Sequence, residues 1–136
     1  MQDLIGGRID YICNIITTAL PQIEAHQVKA ITLTTHERSP LLPDLATAQE
    51  QGLKGFEAYS WDAIFLPKGT PEPIVRRLNA ATLTTLETPI VQQRLREIGA
   101  TVVSPERRTP EYLSKFVASE IEKWAGPIKA SGVSVE

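Results

Sequence analysis

Cysteine is almost absent: the 136 residues contain one, Cys13, so no disulfide can form within the chain. No apolar stretch approaches the roughly 20 residues of a membrane span, and there is no internal repeat or low-complexity tract. No basic run occurs either. Fourteen Lys and Arg stand against 16 Asp and Glu, a formal charge of −2, which leaves no electrostatic footprint for nucleic acid. Two histidines and the lone cysteine lack ligand spacing, so neither a metal nor any other cofactor is expected. Met1-Gln2-Asp3-Leu4 has no basic segment, apolar core or cleavage site of a secretory leader. Read literally, the chain is expected to stay in the cytoplasm; in a longer chain a leader would lie upstream. What is present is ordinary for a soluble globular protein, 42% hydrophobic and 22% charged, and enough for one domain with a modest core.

The patterning predicts a first strand over residues 9–13, entered through Gly6 and Gly7, and a helix from about Thr18 to Ala25 with Pro21 in its first turn. Residues 28–34, VKAITLT, are rich in β-branched side chains and predict a second strand, closing a βαβ unit with a parallel pair. A polar loop follows over 35–43. Thr47 and Glu50 have the spacing of a capping box, opening a short helix that ends at Gly52. Residues 56–67 predict a third strand. Thr70 as N-cap and Pro71 at the first position then open a helix to about Glu87, with Ile74, Leu78 and Ala81 facing inward. A further helix starts at Thr88-Pro89, turns Val91, Leu95 and Ile98 inward, and stops at Gly99. Residues 100–103 predict a short strand. Thr109-Pro110-Glu111 opens the last helix, whose stripe is Leu113, Val117, Ile121, Trp124 and Ile128, and Gly132 ends it. The fold class is α/β, with helices covering a mostly parallel sheet.

GRIDYICNIITTALPQI, residues 7–23, breaks an apolar run with Asn14, Thr17 and Thr18. These residues follow a predicted strand and precede a predicted helix, where α/β proteins bind ligands and where free backbone N–H groups suit anions. The plainer alternative makes Asn14 a turn residue and a threonine the N-cap. Cys13 has no evident orienting group for catalysis with His26 or His36, and reads as a small buried residue; no enzyme is expected. Arg76-Arg77 and Arg107-Arg108 read as solvated faces, and Trp124 as packing.

Four stretches together carry a resemblance: GRIDY with ALPQI (7–11 and 19–23), RSPLLPDLATAQEQGL (38–53), SWDAIFLPKGTPEPIVRRLN (60–79) and EIEKWAGPIKASGV (120–133). In this order the chain resembles the substrate-binding receptors of tripartite tricarboxylate transporters, also called Bug-type receptors. The resemblance covers essentially the whole chain but only the C-terminal half of such receptors. It implies part of a type II periplasmic-binding-protein fold, two hinged α/β lobes with the ligand in the cleft: residues 1–58 part of the second lobe, and 59–136 the crossover strand and C-terminal part of the first. It further implies a small carboxylate ligand, membrane transporter subunits as partners, a periplasmic location, and ligand contacts from Cys13, Asn14, Thr17 and Thr18. Trp61 would line the cleft at the crossover or fill the hinge core. Where the family pattern often has an Asp after the first strand, Asn14 stands here, which favours a plain carboxylate over an amino acid. Half a cleft leaves sheet edges unpaired, so self-association is expected. The alternative is a cytoplasmic effector-binding module of a transcription regulator, which would come with a helix-turn-helix segment; none is visible.

Overall fold

Five helices make up the regular structure of residues 1–133, the part that the computed structural model describes: α1 (Gln2–Ile5), α2 (Ile16–Glu24), α3 (Glu72–Leu86), α4 (Pro89–Glu97) and α5 (Pro110–Ser131), with a 3₁₀ turn at Pro105–Arg107. The chain divides into two compact units. One joins Met1–Asp62 to Arg94–Ala100; the other joins Ala63–Gln93 to the described residues from Thr101 onward.

In the first unit, the expected parallel pairing of residues 9–13 with 28–34 is not formed. Among the described residues the extended pairing is one parallel bridge, Leu33 with Thr47. Leu33 N–H donates to Ala46 O at 3.1 Å, Ala48 N–H to Leu33 O at 2.7 Å, and Ala58 N–H to Thr34 O at 2.9 Å. Residues 9–13, 56–67 and 100–103 likewise build no ladder. A strand exists only beside a neighbour that supplies donors and acceptors along its length. These segments have the composition of strands, and the described residues offer them no such neighbour. Their apolar side chains stay exposed, among them Ile9, Ile12, Ile31, Ile64 and Phe65.

Among the described residues the two buried side chains sit at that bridge, Thr47 (1% exposed) and Ala48 (6%). The capping box forms, but as a turn: residues 47–52 do not continue into the expected helix. Thr47 N–H donates to Glu50 Oε2 at 2.8 Å, and Glu50 N–H donates to Thr47 Oγ1 at 3.3 Å. Arg38 completes a clamp. Its Nε donates to both Glu50 oxygens at 3.0 and 2.9 Å, its Nη2 lies 2.9 Å from Oε1, and its Nη1 donates to Pro43 O at 3.1 Å. The Arg38 hydrogen bond, then the Thr47 amide, hold the Glu50 carboxyl down to about 2 from its ordinary 4.5. A carboxyl depressed in the folded state adds stability above its unfolded value and loses it as pH falls. Glu50→Gln is therefore expected to melt earlier than the parent at pH 7. That gap should close as pH falls from about 4.5 towards 2, as thermal melts in a pH series will show. A gap that persists at pH 2 would contradict the clamp.

Helix α2 starts at Ile16, two residues before the expected start, which puts Pro21 in its second turn rather than its first. Proline has no N–H, so the Thr17 carbonyl four residues back loses its helical donor.

In the second unit, α3 is capped by Pro71 instead of Thr70, whose hydroxyl donates to Pro67 O at 2.8 Å. The expected inward face is also rotated: Ile74, Leu78 and Ala81 are exposed, while Val75, Asn79, Leu83 and Leu86 are half-buried. Asn79 accounts for the rotation, because its Nδ2 donates to Arg108 O at 3.0 Å. Arg108 is itself held, with Nε donating to Val103 O at 2.7 Å, so it is not the free solvated residue expected. Arg76 does lie on a solvated face, paired with Glu72 at 2.8 Å. Helix α5 begins and ends as expected: Thr109 Oγ1 accepts from Tyr112 N–H at 3.1 Å, and Gly132 closes it at φ +71°. Of its stripe, Leu113, Val117 and Trp124 are half-buried, while Ile121 and Ile128 are exposed.

Candidate functional site

Asn14 stands immediately before the extended residue Ile15 (φ −71°, ψ 134°) that opens α2. Isoleucine has no polar group to cap a helix, and no side chain caps the first backbone N–H groups of α2. Asn14, one residue earlier, closes the turn that leads into it. Its Oδ1 accepts from Ile15 N–H at 2.9 Å and from Thr18 Oγ1 at 2.9 Å. The Thr18 hydroxyl also lies 2.8 Å from Ile15 O, so its proton is used within the turn. Thr18 and Ala19 N–H both donate to Ile15 O, at 3.1 and 3.2 Å.

This arrangement leaves specific donors over. The N–H groups of Ile16 and Thr17, and the Thr17 hydroxyl, have no acceptor among the described residues. With its Oδ1 engaged, Asn14 keeps its Nδ2 amide for another acceptor. Two adjacent free N–H groups at a helix start, with a hydroxyl beside them, suit an anion, and the helix dipole adds to the attraction. The nearby guanidinium of Arg8 is taken up by Asp3, with Nε donating to Oδ1 at 2.6 Å. Uncharged donors thus dominate the loop.

Of the expected site residues, Cys13, Asn14, Thr17 and Thr18 come together at the start of α2. Cys13 is exposed rather than buried, and Thr17 is half-buried. Trp61 is half-buried in the same unit. His26 and His36 are exposed, and no group of His, Cys, Asp or Glu among the described residues is placed to hold a metal ion. An open depression lined by Ile23, His26, Gln27, Val28, Lys29 and Ala30 lies at the opposite end of α2. Carbonyl oxygens and the negative end of the dipole lie at that end of the helix, offset by the Lys29 ammonium in the lining.

The Thr17 amide lies in the loop to which the sequence points, where free backbone N–H groups are expected; Ile16 is the addition, because α2 starts two residues earlier than its expected start at Thr18. The Arg38 clamp was missed too: Arg38 and Glu50 lie twelve residues apart, and only the capping-box spacing hinted that Glu50 was engaged.

Residues 1–133 match the tripartite tricarboxylate transporter family receptor. The chain belongs to this family. Among solved structures, it superposes on the periplasmic binding protein BugD with a TM-score of 0.82 at 38% identity, covering 100% of this chain and 45% of BugD. MatC from Rhodopseudomonas palustris, solved with bound malate, gives 0.78 at 44% identity, covering 90% of this chain and 42% of MatC. Another R. palustris protein, solved with adipate, gives 0.78 at 32% identity, covering 98% and 44%. The receptor chain spans roughly two-fifths of the length of the first curated relatives it matches (38%, 36% and 40%). Its fold is accordingly that of part of a periplasmic binding protein, α/β in class, with the helices in place and the strand segments lacking their ladders.

Proposed function

We propose that this receptor chain contributes one side of a cleft for a small carboxylate, ideally a dicarboxylate, and that the start of α2 holds one of the ligand's carboxylates. The observation behind this reading is the pair of unengaged N–H groups of Ile16 and Thr17, joined by the Thr17 hydroxyl, in a family whose solved relatives include malate- and adipate-bound proteins. Asn14 would donate through Nδ2 without a charge. Cys13 and Thr18 border the ligand, and Trp61 closes over its hydrocarbon part. Residues 1–58 then form part of the second lobe, and 59–136 the crossover and the C-terminal part of the first. The loaded receptor works in the periplasm and delivers its ligand to the membrane subunits of a tripartite transporter; it catalyses no reaction.

A chain holding part of a cleft should bind weakly, about millimolar, since the opposing lobe supplies the remaining contacts. Amide NMR titration with malate, adipate, glutamate and glucose tests this. The Ile16 and Thr17 amide signals should move with malate and adipate, less with glutamate, and not with glucose. A response to glucose as large as that to malate would sink the carboxylate assignment. Dicarboxylate shifts confined to residues 26–30 would move the site to the other end of α2.

A further inference from the structure

We infer that Gly99, some eighty residues downstream of the loop, is a positioning residue for the anion-holding start of α2. The inference rests on the ligand reading above and adds a residue that no motif in the loop contains. Gly99 follows α4 with φ +69° and belongs to the same compact unit as the loop. Its N–H donates to Arg96 O at 3.0 Å, and the next amide, of Ala100, donates to Leu95 O at 2.8 Å, so the turn is fixed from the α4 side. A Cβ added at Gly99 would lie 2.8 Å from Leu41 Cδ1, 3.4 Å from Ile16 Cγ2 and 3.6 Å from Thr17 Cγ2. The bare backbone of Gly99 is therefore the surface against which the first two residues of α2 and Leu41 pack. Those two residues own the free N–H groups, and Thr17 owns the free hydroxyl.

The contact also orients Thr17. With Cγ2 turned towards Gly99, the hydroxyl on the same Cβ is directed elsewhere and stays out of the packing. Thr18 instead turns its hydroxyl to Asn14 Oδ1 and Ile15 O. This explains why two adjacent threonines have different roles: one is held by a neighbour from far along the chain, the other by Asn14.

The test uses the full chain, with malate as probe in amide NMR titrations and thermal melts on the same samples. In Gly99→Ala the new methyl must displace Leu41 Cδ1, at 2.8 Å, while Ile16 Cγ2 and Thr17 Cγ2 stand at ordinary contact distance; the displaced Leu41 should shift the Ile16 and Thr17 amide signals before any malate is added. Malate affinity should fall about tenfold or more, since displacements well under 1 Å spoil a binding constellation. Leu41→Ala alone opens space and should cost at most about threefold, and adding it to Gly99→Ala should restore affinity to within about threefold of the parent, a non-additivity expected only of groups in contact. The left-handed strain of an alanine at this φ remains in the double variant, so a melting loss without binding loss would show a purely structural role. Unshifted Ile16 and Thr17 amides in Gly99→Ala, or no rescue by Leu41→Ala, overturn the inference. If Gly99→Ala fails to fold, Leu41→Phe crowds the same spot with the glycine intact and must reproduce the amide shifts and the affinity loss; otherwise the inference falls. If the parent itself ignores malate, the ligand reading fails, while the amide shifts still decide whether Gly99 sets the loop.

Discussion

Light scattering on the isolated chain should report a species larger than 15.0 kDa, at least a dimer at micromolar concentration. Two wholly separate folded domains of half this mass would together expose about 8,500 Å². The chain exposes 10907 Å², so the excess does not depend on how its two units are placed. That excess is of the order of a whole protein–protein interface, about 1,200–2,000 Å² or more. Much of it is apolar: Ile64, Phe65 and Leu66 lie on an extended segment that builds no ladder, Ile31 is exposed beside the Leu33–Thr47 bridge, and Ile121 and Ile128 lie on the open stripe of α5. Unpaired strand edges beside exposed apolar side chains invite a second copy, because each copy can supply the neighbour that the other lacks. Supplying the remaining part of a BugD-like receptor on the same chain should abolish the association. A monomer by light scattering that also melts cooperatively would contradict this account.

The helices could be read from the sequence because their signals are local. Thr109 and Gly132 bracket α5 by N-cap and left-handed C-cap, and Gly99 follows α4 as its stop. The errors arose where two local rules competed. Proline prefers the first turn, which favours a start at Thr18; α2 instead starts at Ile16 with Pro21 in its second turn, and this adds the Ile16 N–H to the expected donors of Thr17. Thr70 was preferred to Pro71 as a cap for the same kind of reason. Strands were legible as composition only. VKAITLT does pair, but through Leu33 with residues 46–48, fourteen or so positions ahead, and not with 9–13 across a helix. Nothing within a strand's own sequence says which segment lies beside it, and among the described residues the candidates build no ladder beyond the Leu33–Thr47 bridge. The polar break at residues 14–18 pointed to the loop. Which of its donors remain free depends on the Asn14 hydrogen bonds to Ile15 and Thr18, which need coordinates.

Thr17→Val and Asn14→Ala should separate ligand binding from closure of the turn. Valine keeps the branched shape of Thr17, including the methyl against Gly99, and removes only the free hydroxyl. One hydrogen bond to a charged ligand is worth about 1.5–3 kcal/mol, so malate affinity should fall roughly ten- to a hundredfold. The melting temperature should barely change, because that hydroxyl bonds to nothing among the described residues. Asn14→Ala is the opposite case: its Oδ1 serves Ile15 N–H and the Thr18 hydroxyl, and losing such hydrogen bonds costs about 1 kcal/mol of stability. Thr18→Ala should resemble Asn14→Ala, as its hydroxyl proton is used inside the turn. Melts and malate titrations on the same samples compare the three. If Thr17→Val binds malate as the parent does, the hydroxyl is not a ligand donor. If all three bind normally while Asn14→Ala and Thr18→Ala melt early, residues 14–18 are a turn, and the carboxylate is held elsewhere.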